Sequence, residues 1–505
     1  MRFFAGLICC VWFVTAPVRA AEAPFHLHLL GPEAIAAHAD AGKIKDILGL
    51  EESRSVGSFL VGNVAKMVNA DFAGTAENTA AGLAAIFQLG LGHELVIEIV
   101  DRKAGHWRAA LRVPGTAKTI FMETLRQFVK KHGGKIKTPV DGMGSWSFVP
   151  KGGKRALLVS HHGEWVFLDH SDEEQPSAWR QEALKKQRPV ASLDGPAHLR
   201  CRSDYLTDLI PGLQLPHAFT LNLSLRFHHG RLRTEGTVDF DSAVKLPLEP
   251  FTIPTNSLRD PLITFSAARG FRGWLADWKA LPQWRLPALP NQAFGWAHED
   301  LPMHSLAAFP FPAVAKYLKR QTARVKETLN PDLAKRGLGE LVYVPDDAGQ
   351  VLRGVPLMAP FFVPAPEPSG DWALVGTVVG NRPTGPNTNP PPAELLGQIQ
   401  NRPDLIYYHW EITQPRLTQL QMLTSLVRVF AMKFASTAND PFPLWIKNVA
   451  PSLGNTVTEI TRASDRRWEV TRTSDFGLTA LELTLLGHRL APVVTLPSPA
   501  GLPTR

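Results

Sequence analysis

Cysteine is nearly missing from this chain of 505 residues: there are three, and Cys9 and Cys10 lie inside an apolar leader. Removal of that leader leaves Cys201 alone, so no internal disulfide can form and the core must hold the fold. Long apolar runs are scarce as well. The leader reads Met1-Arg2, then an apolar stretch from Phe3 to Ala16, then Val18-Arg19-Ala20. It is shorter than the roughly 20 residues a membrane-spanning helix needs, and its layout is that of a signal peptide covering residues 1–20. Ile8, before Cys9, is too bulky for a lipoprotein-processing site. Farther along, the most apolar stretch, Met422 to Phe434, is interrupted by Arg428 and Lys433, so no transmembrane segment is expected once the signal is gone.

The common catalytic fingerprints are absent too. The chain has no Gly-x-Ser-x-Gly elbow, no His-Glu-x-x-His zinc motif, no Gly-Lys-Ser/Thr phosphate loop and no complete dinucleotide-binding glycine pattern; Gly90-Leu-Gly92 precedes a strand, the wrong context. That counts against an enzyme and against a cofactor, none being expected. Charge of one sign is not in large excess: Lys and Arg number 54 against 46 Asp and Glu, a net of +8 that becomes +6 when Arg2 and Arg19 leave with the signal. Basic motifs interleaved with aromatics are also lacking, so nucleic acid is not expected as a partner.

What is present is a long chain, 44% hydrophobic, enough for at least two cores. Period-two stretches, short turns and helical stretches alternate along it. The segments Glu94 to Val100 and His106 to Val113 read as strands, Thr116 to Lys131 as a helix, and Phe219 to Phe227 with Arg231 to Phe240 as a hairpin. After a Pro-rich passage the order recurs in outline, with Met303 to Phe309 a strand, Ala313 to Arg336 a basic helix kinked before Pro331, and Thr456 to Ala463 with Trp468 to Thr473 a closing hairpin. The expected fold class is α+β: two similar modules, each a mainly antiparallel sheet with helices packed on one face. They would span 21–245 and 262–490, joined by a linker at 246–261 and followed by a disordered tail at 491–505.

Candidate sites come from side-chain chemistry. In Ile406-Tyr407-Tyr408-His409-Trp410-Glu411-Ile412, alternation puts His409 and Glu411 on one strand face roughly 7 Å apart, the spacing of an acid/base pair or of a carboxylate that orients an imidazole. A basic group, Lys130, Lys131, Lys151, Lys154 and Arg155, suits an anionic polymer or lipid headgroup as well as a solvated surface. Trp274 and Trp278, four apart, share a helix face and would line an apolar groove or pack in a core. Among 17 histidines, His161-His162-Gly163 and His228-His229-Gly230 read as turn tips. His26 and His28 share a strand face with no further ligand at nearby spacing, so no metal is expected.

Long phrases in the second half are distinctive: IPTNSLRDPLITFSAARGFRGWLA (Ile253 to Ala276), LPNQAFGWA (Leu289 to Ala297), NPPPAELLGQI (Asn389 to Ile399), LIYYHWEITQPRL (Leu405 to Leu417), LGNTVTEITRA (Leu453 to Ala463) and FGLTALELTLL (Phe476 to Leu486). In these the chain resembles a family of uncharacterised exported bacterial proteins, over most of its length beyond the leader. The resemblance implies export and a shared fold, and brings no activity or site residue with it. The expectation is a periplasmic or extracellular, non-catalytic envelope protein that binds a lipid, a polymer or a partner protein. The alternatives are a hydrolase of envelope material using His409 and Glu411, and a structural assembly component that would expose apolar patches.

Overall fold

The computed structural model describes residues 23–59, 62, 92–101, 106–131, 135–137, 145–149, 156–171, 185, 193–205, 217–276, 286–299, 304–335, 337, 339–354, 359–377, 387–430 and 441–490. The signal peptide expected at 1–20 and the tail expected at 491–505 lie outside the described residues. Twenty strands are described. They are β1 (Phe25–Leu29), β2 (Leu95–Asp101), β3 (His106–Arg112), β4 (Lys135–Lys137), β5 (Trp146–Val149), β6 (Ala156–His162), β7 (Trp165–Ser171), β8 (Ala197–Arg202), β9 (Phe219–His228) and β10 (Arg231–Phe240). The later ones are β11 (Thr264–Arg269), β12 (Gln292–Ala297), β13 (Ser305–Pro310), β14 (Glu340–Val344), β15 (Gly349–Arg353), β16 (Phe361–Pro364), β17 (Trp372–Gly376), β18 (Leu405–Ile412), β19 (Asn455–Ser464) and β20 (Arg467–Ser474). The helices that matter below are α1 (Pro32–Ala37), α2 (Gly42–Gly49), α3 (Gly115–Lys131), α4 (Arg272–Ala276), α5 (Val314–Arg324), α6 (Asn330–Lys335), α7 (Ala393–Gly397), α8 (Thr413–Phe430), α9 (Phe442–Val449) and α10 (Ala480–Leu490).

All twenty strands belong to one antiparallel sheet. From edge to edge the order is β4, β5, β6, β7, β3, β2, β1, β8, β9, β10, β20, β19, β18, β11, β12, β13, β17, β16, β15, β14. Outward from the central β10–β20 pair, each strand on one side has a number ten below its counterpart on the other. That recurrence is one of order within a single sheet. The expectation of two similar modules, each with its own sheet, is therefore overturned: the last strands of the two chain halves pair with each other from Leu232↔Ser474 to Asp239↔Arg467. Helices on one face only is likewise corrected, since α7 packs on the face opposite the one that α1, α2 and α3 cover.

Strict alternation makes the two faces chemically different. In β9, Leu221, Leu223, Leu225 and Phe227 point to the first face and Thr220, Asn222, Ser224 and Arg226 to the second. The turn into β10 uses left-handed backbone at His229 (φ 49) and Gly230 (φ 73), the pairing that two-residue hairpins favour. Against the first face lies the largest core. It joins Leu27, Ile44, Phe121 and Val159 from the N-terminal half to Leu417, Trp445, Phe476 and Leu483 from α8, α9, α10 and the loop before α10. The C-terminal helices thus complete the N-terminal core, the second reason that separate modules fail. Elsewhere the second face carries its own core, built on Phe265, Phe294, Trp296 and Trp372.

Local chemistry also explains how the sheet ends and how the helices start. The basic helix expected at Ala313 to Arg336 runs as α5, a π-helical turn at Val325–Leu329 and α6; the wide turn carries the chain into Pro331. There Asn330 accepts from Leu341 N–H at 2.9 Å and donates to Leu341 C=O at 3.1 Å, occupying main-chain groups of the edge strand β14 that would otherwise invite another strand. At α10, Thr479 and Glu482 form a capping box, with each side chain accepting from the other's N–H at 3.2 and 2.8 Å. Trp445→Ala, which empties a fully buried site in the shared core, is expected to cost about 3–5 kcal/mol. Hydrogen exchange should then speed up in β1 and β2 as well as in α9; a response confined to the C-terminal helices would contradict a shared core.

Candidate functional site

Two polar clusters interrupt the apolar packing. The first is on the second face of the N-terminal half. His28, 2% exposed, donates from Nε2 to Glu94 Oε1 at 2.8 Å, and Glu94 is buried as well. Beside it His26 Nδ1 meets Glu98 Oε1 at 2.9 Å, and Glu98 Oε2 accepts from Arg108 Nε. The His198 ring stands edge-on to His26, with centroids 5.6 Å apart. Sequence spacing hid this group because Glu94 and Glu98 reach His28 and His26 across the β1–β2 ladder, 66 and 72 residues away. Its only local signal was the shared face of His26 and His28. Among the described residues no group of three His, Cys, Asp or Glu is disposed to hold a metal ion.

Charge is tuned by this packing. Burial alone would push the Glu98 carboxyl up, but the hydrogen bond from His26 and the Arg108 charge outweigh it, so Glu98 titrates below its ordinary 4.5. His198 is pushed below its ordinary 6.5 by burial first, then by His26 and His28.

The cluster belongs to a longer feature. Directly opposed residues on the second face form one polar row over nine strands: Asp169, Arg108, Glu98, His26, Arg200, Asn222, Thr237, Glu469 and Thr461. At the usual strand spacing the row is about 38 Å long. Asp169 at one end is 7% exposed, Asn222 and Thr237 are half-buried, and Glu469 is exposed, so the row opens from a closed end to solvent. Next to it, Arg233 Nε lies 2.8 Å from Glu235, Thr237 donates to Asp239 at 2.7 Å and Arg402 holds Glu459 at 3.0 Å.

The second cluster contains the residues read from sequence. His409 and Glu411 do meet, Nε2 to Oε2 at 3.2 Å, and Ser266 Oγ lies 2.8 Å from His409 Nδ1. Glu411 is 1% exposed. Its Oε1 accepts from Thr413 Oγ1 at 3.0 Å and from the Ala480 N–H at 2.8 Å, which ties β18 to the first turn of α10.

Of the other sequence candidates, Lys130 is exposed near the end of α3 and Lys131 closes that helix, while Lys151, Lys154 and Arg155 lie outside the described residues. Trp274, in α4, stacks on Trp468 at 5.2 Å within an apolar cluster; Trp278 lies outside the described residues. Both double-histidine segments sit at hairpin turns. Among the described residues no helix is long and apolar enough to cross a membrane. No known family, curated protein or solved structure matches the chain.

Glu411→Ala would strand the Ala480 N–H, the Thr413 hydroxyl and His409, and is expected to lower stability by about 3 kcal/mol or more, read by urea unfolding. For His198 and Glu98, folded values below the unfolded ones mean that the unfolded chain binds more protons. Their stabilisation is full at neutral pH, and is lost by His198 as pH falls from about 6.5 and by Glu98 from about 4.5. The thermal midpoint should fall between pH 7 and 5, and His198→Asn should make that fall shallower; an equally steep fall in the variant would refute the assignment.

Proposed function

We propose that the chain is an exported, non-catalytic envelope protein that holds a linear, hydroxyl-rich polymer along the polar row. The observation that carries this reading is the row itself: nine consecutive strands present hydrogen-bonding side chains in register. A wet face is usual for an antiparallel sheet. Less usual is a row with one closed end whose neighbouring side chains are already held by ion pairs and hydrogen bonds, which lowers the entropy lost on binding. Mixed donors and acceptors suit hydroxyl groups better than acyl chains, so a polymer is favoured over a lipid. The apolar segment at the start of the sequence and the resemblance of its later phrases to exported proteins support an envelope location.

The hydrolase alternative would rest on Ser266, His409 and Glu411. Ser266, however, is mid-strand in β11, where β12 and β18 take up the main-chain N–H groups on both sides that acyl transfer would need for an oxyanion. Glu411 is likewise occupied in holding α10.

The mature chain should bind soluble envelope polysaccharide in calorimetric titration. Asn222→Ala combined with Glu469→Ala, two half-open or open positions, should weaken binding about tenfold, or ~1.4 kcal/mol, while loss of the 3.3 Å hydrogen bond from Asn222 to Asp239 lowers stability by no more than about 1 kcal/mol. Equal binding by the variant would rule out the row as the contact surface.

A further inference from the structure

The closed end of the row contains two buried polar atoms whose hydrogen bonding is unsatisfied. Ser160 is 0% and Asp169 is 7% exposed, and neither Ser160 Oγ nor Asp169 Oδ2 has a hydrogen-bond partner. Both side chains are on the second face. Ser160 lies opposite Phe167, two residues from Asp169 along β7, so the two are diagonal neighbours about 7 Å apart or less. The three carboxylates of this region differ in one respect. Glu94 and Glu98 accept from His28, His26 and Arg108, whereas Asp169 keeps an oxygen unsatisfied. A buried acceptor left open costs about 1–3 kcal/mol, and a bound group that donates to it would recover that cost.

We propose that Asp169 and Ser160 anchor a ligand ammonium group at the closed end of the row. The inference rests on the polymer reading for the rest of the ligand and names its terminus, an amino-bearing unit. The open atoms are a carboxylate oxygen, Asp169 Oδ2, and a hydroxyl oxygen, Ser160 Oγ, so a donor that reaches both would be accepted by each. Trp165 and Phe167, on the same face of β7 and buried with Val96 and Ala110, supply the aromatic, dry setting in which a cation is held strongly. One carboxylate and one hydroxyl are too few for calcium, while an ammonium needs no more than these and a ring.

The test uses the full mature chain and two probes near pH 6.5, a glucosamine oligosaccharide with free amines and its fully N-acetylated counterpart. The amine form should bind at least tenfold more tightly. Asp169→Asn should remove that preference and leave affinity for the acetylated form within twofold, and Ser160→Ala should narrow the preference. The Asp169→Asn midpoint without ligand should be unchanged or higher, since the replaced oxygen supports no contact. Equal binding of both probes, no binding of the amine form, a preference that survives Asp169→Asn, or a midpoint lowered by several degrees would each overturn the proposal. The two readings fail separately. If the Asn222 and Glu469 substitutions have no effect while Asp169→Asn abolishes the amine preference, the extended row is wrong and the anchor stands; the opposite pattern removes the anchor alone.

Discussion

The pairing of β10 with β20 is the constraint on which the rest of the molecule depends. Each strand would otherwise be an open edge ten or eight residues long, a row of main-chain groups that must be paired or protected. Pairing them with each other satisfies both and turns the chain's two runs of strands into one sheet. It also fixes which face each half presents, because a slip of one residue would exchange Val238 and Trp468 for Asp239 and Glu469 on the covered side. A polar row crossing from β7 to β19 exists only because this joint holds its register.

The joint also makes the core indivisible. With the sheet continuous, α8, α9 and α10 lie over the first face where the N-terminal strands need cover, and Trp445 and Phe476 pack among side chains that precede them by several hundred residues. Polar anchors set their positions. Asp475 accepts from Lys43, Arg231 and the Gly454 N–H, while Arg472 grips Glu482 of the α10 capping box through two nitrogens at 2.7 and 2.9 Å. Burial alone would raise the Glu482 carboxyl, and the Arg472 charge and Thr479 hydrogen bonds bring it below the usual range.

The sequence was most legible where the information is local. The hairpins, the helix after β3 and the strand carrying His409 followed from periodicity and turn chemistry. The sheet's unity did not, since nothing near Val238 announces Trp468 as its neighbour. Strands β11 and β12 escaped notice because Ser266, Ala267, Ala268, Ala293 and Gly295 are small and give little alternation. Of the sites, the contact of His409 with Glu411 was legible from a two-residue spacing, whereas Ser266 and the Ala480 N–H that complete its network come from distant elements. His26 and His28 were seen without the glutamates across the ladder.

One criterion sets the network around Glu411 apart from the pair Asp169 and Ser160. Around Glu411 every oxygen is used: two donors reach Oε1, His409 reaches Oε2, and Thr413 is shared with Thr456 at 2.8 Å. Such closure stiffens a core and leaves nothing to offer a ligand. At Asp169 and Ser160 the accounting stays open, although the surroundings are as dry and Arg108 stands one strand away. Repacking either position with an apolar side chain would raise stability by removing an unsatisfied group. The unsatisfied pair makes sense as a feature whose return comes on binding, at the one place where the polar row runs into the closed interior.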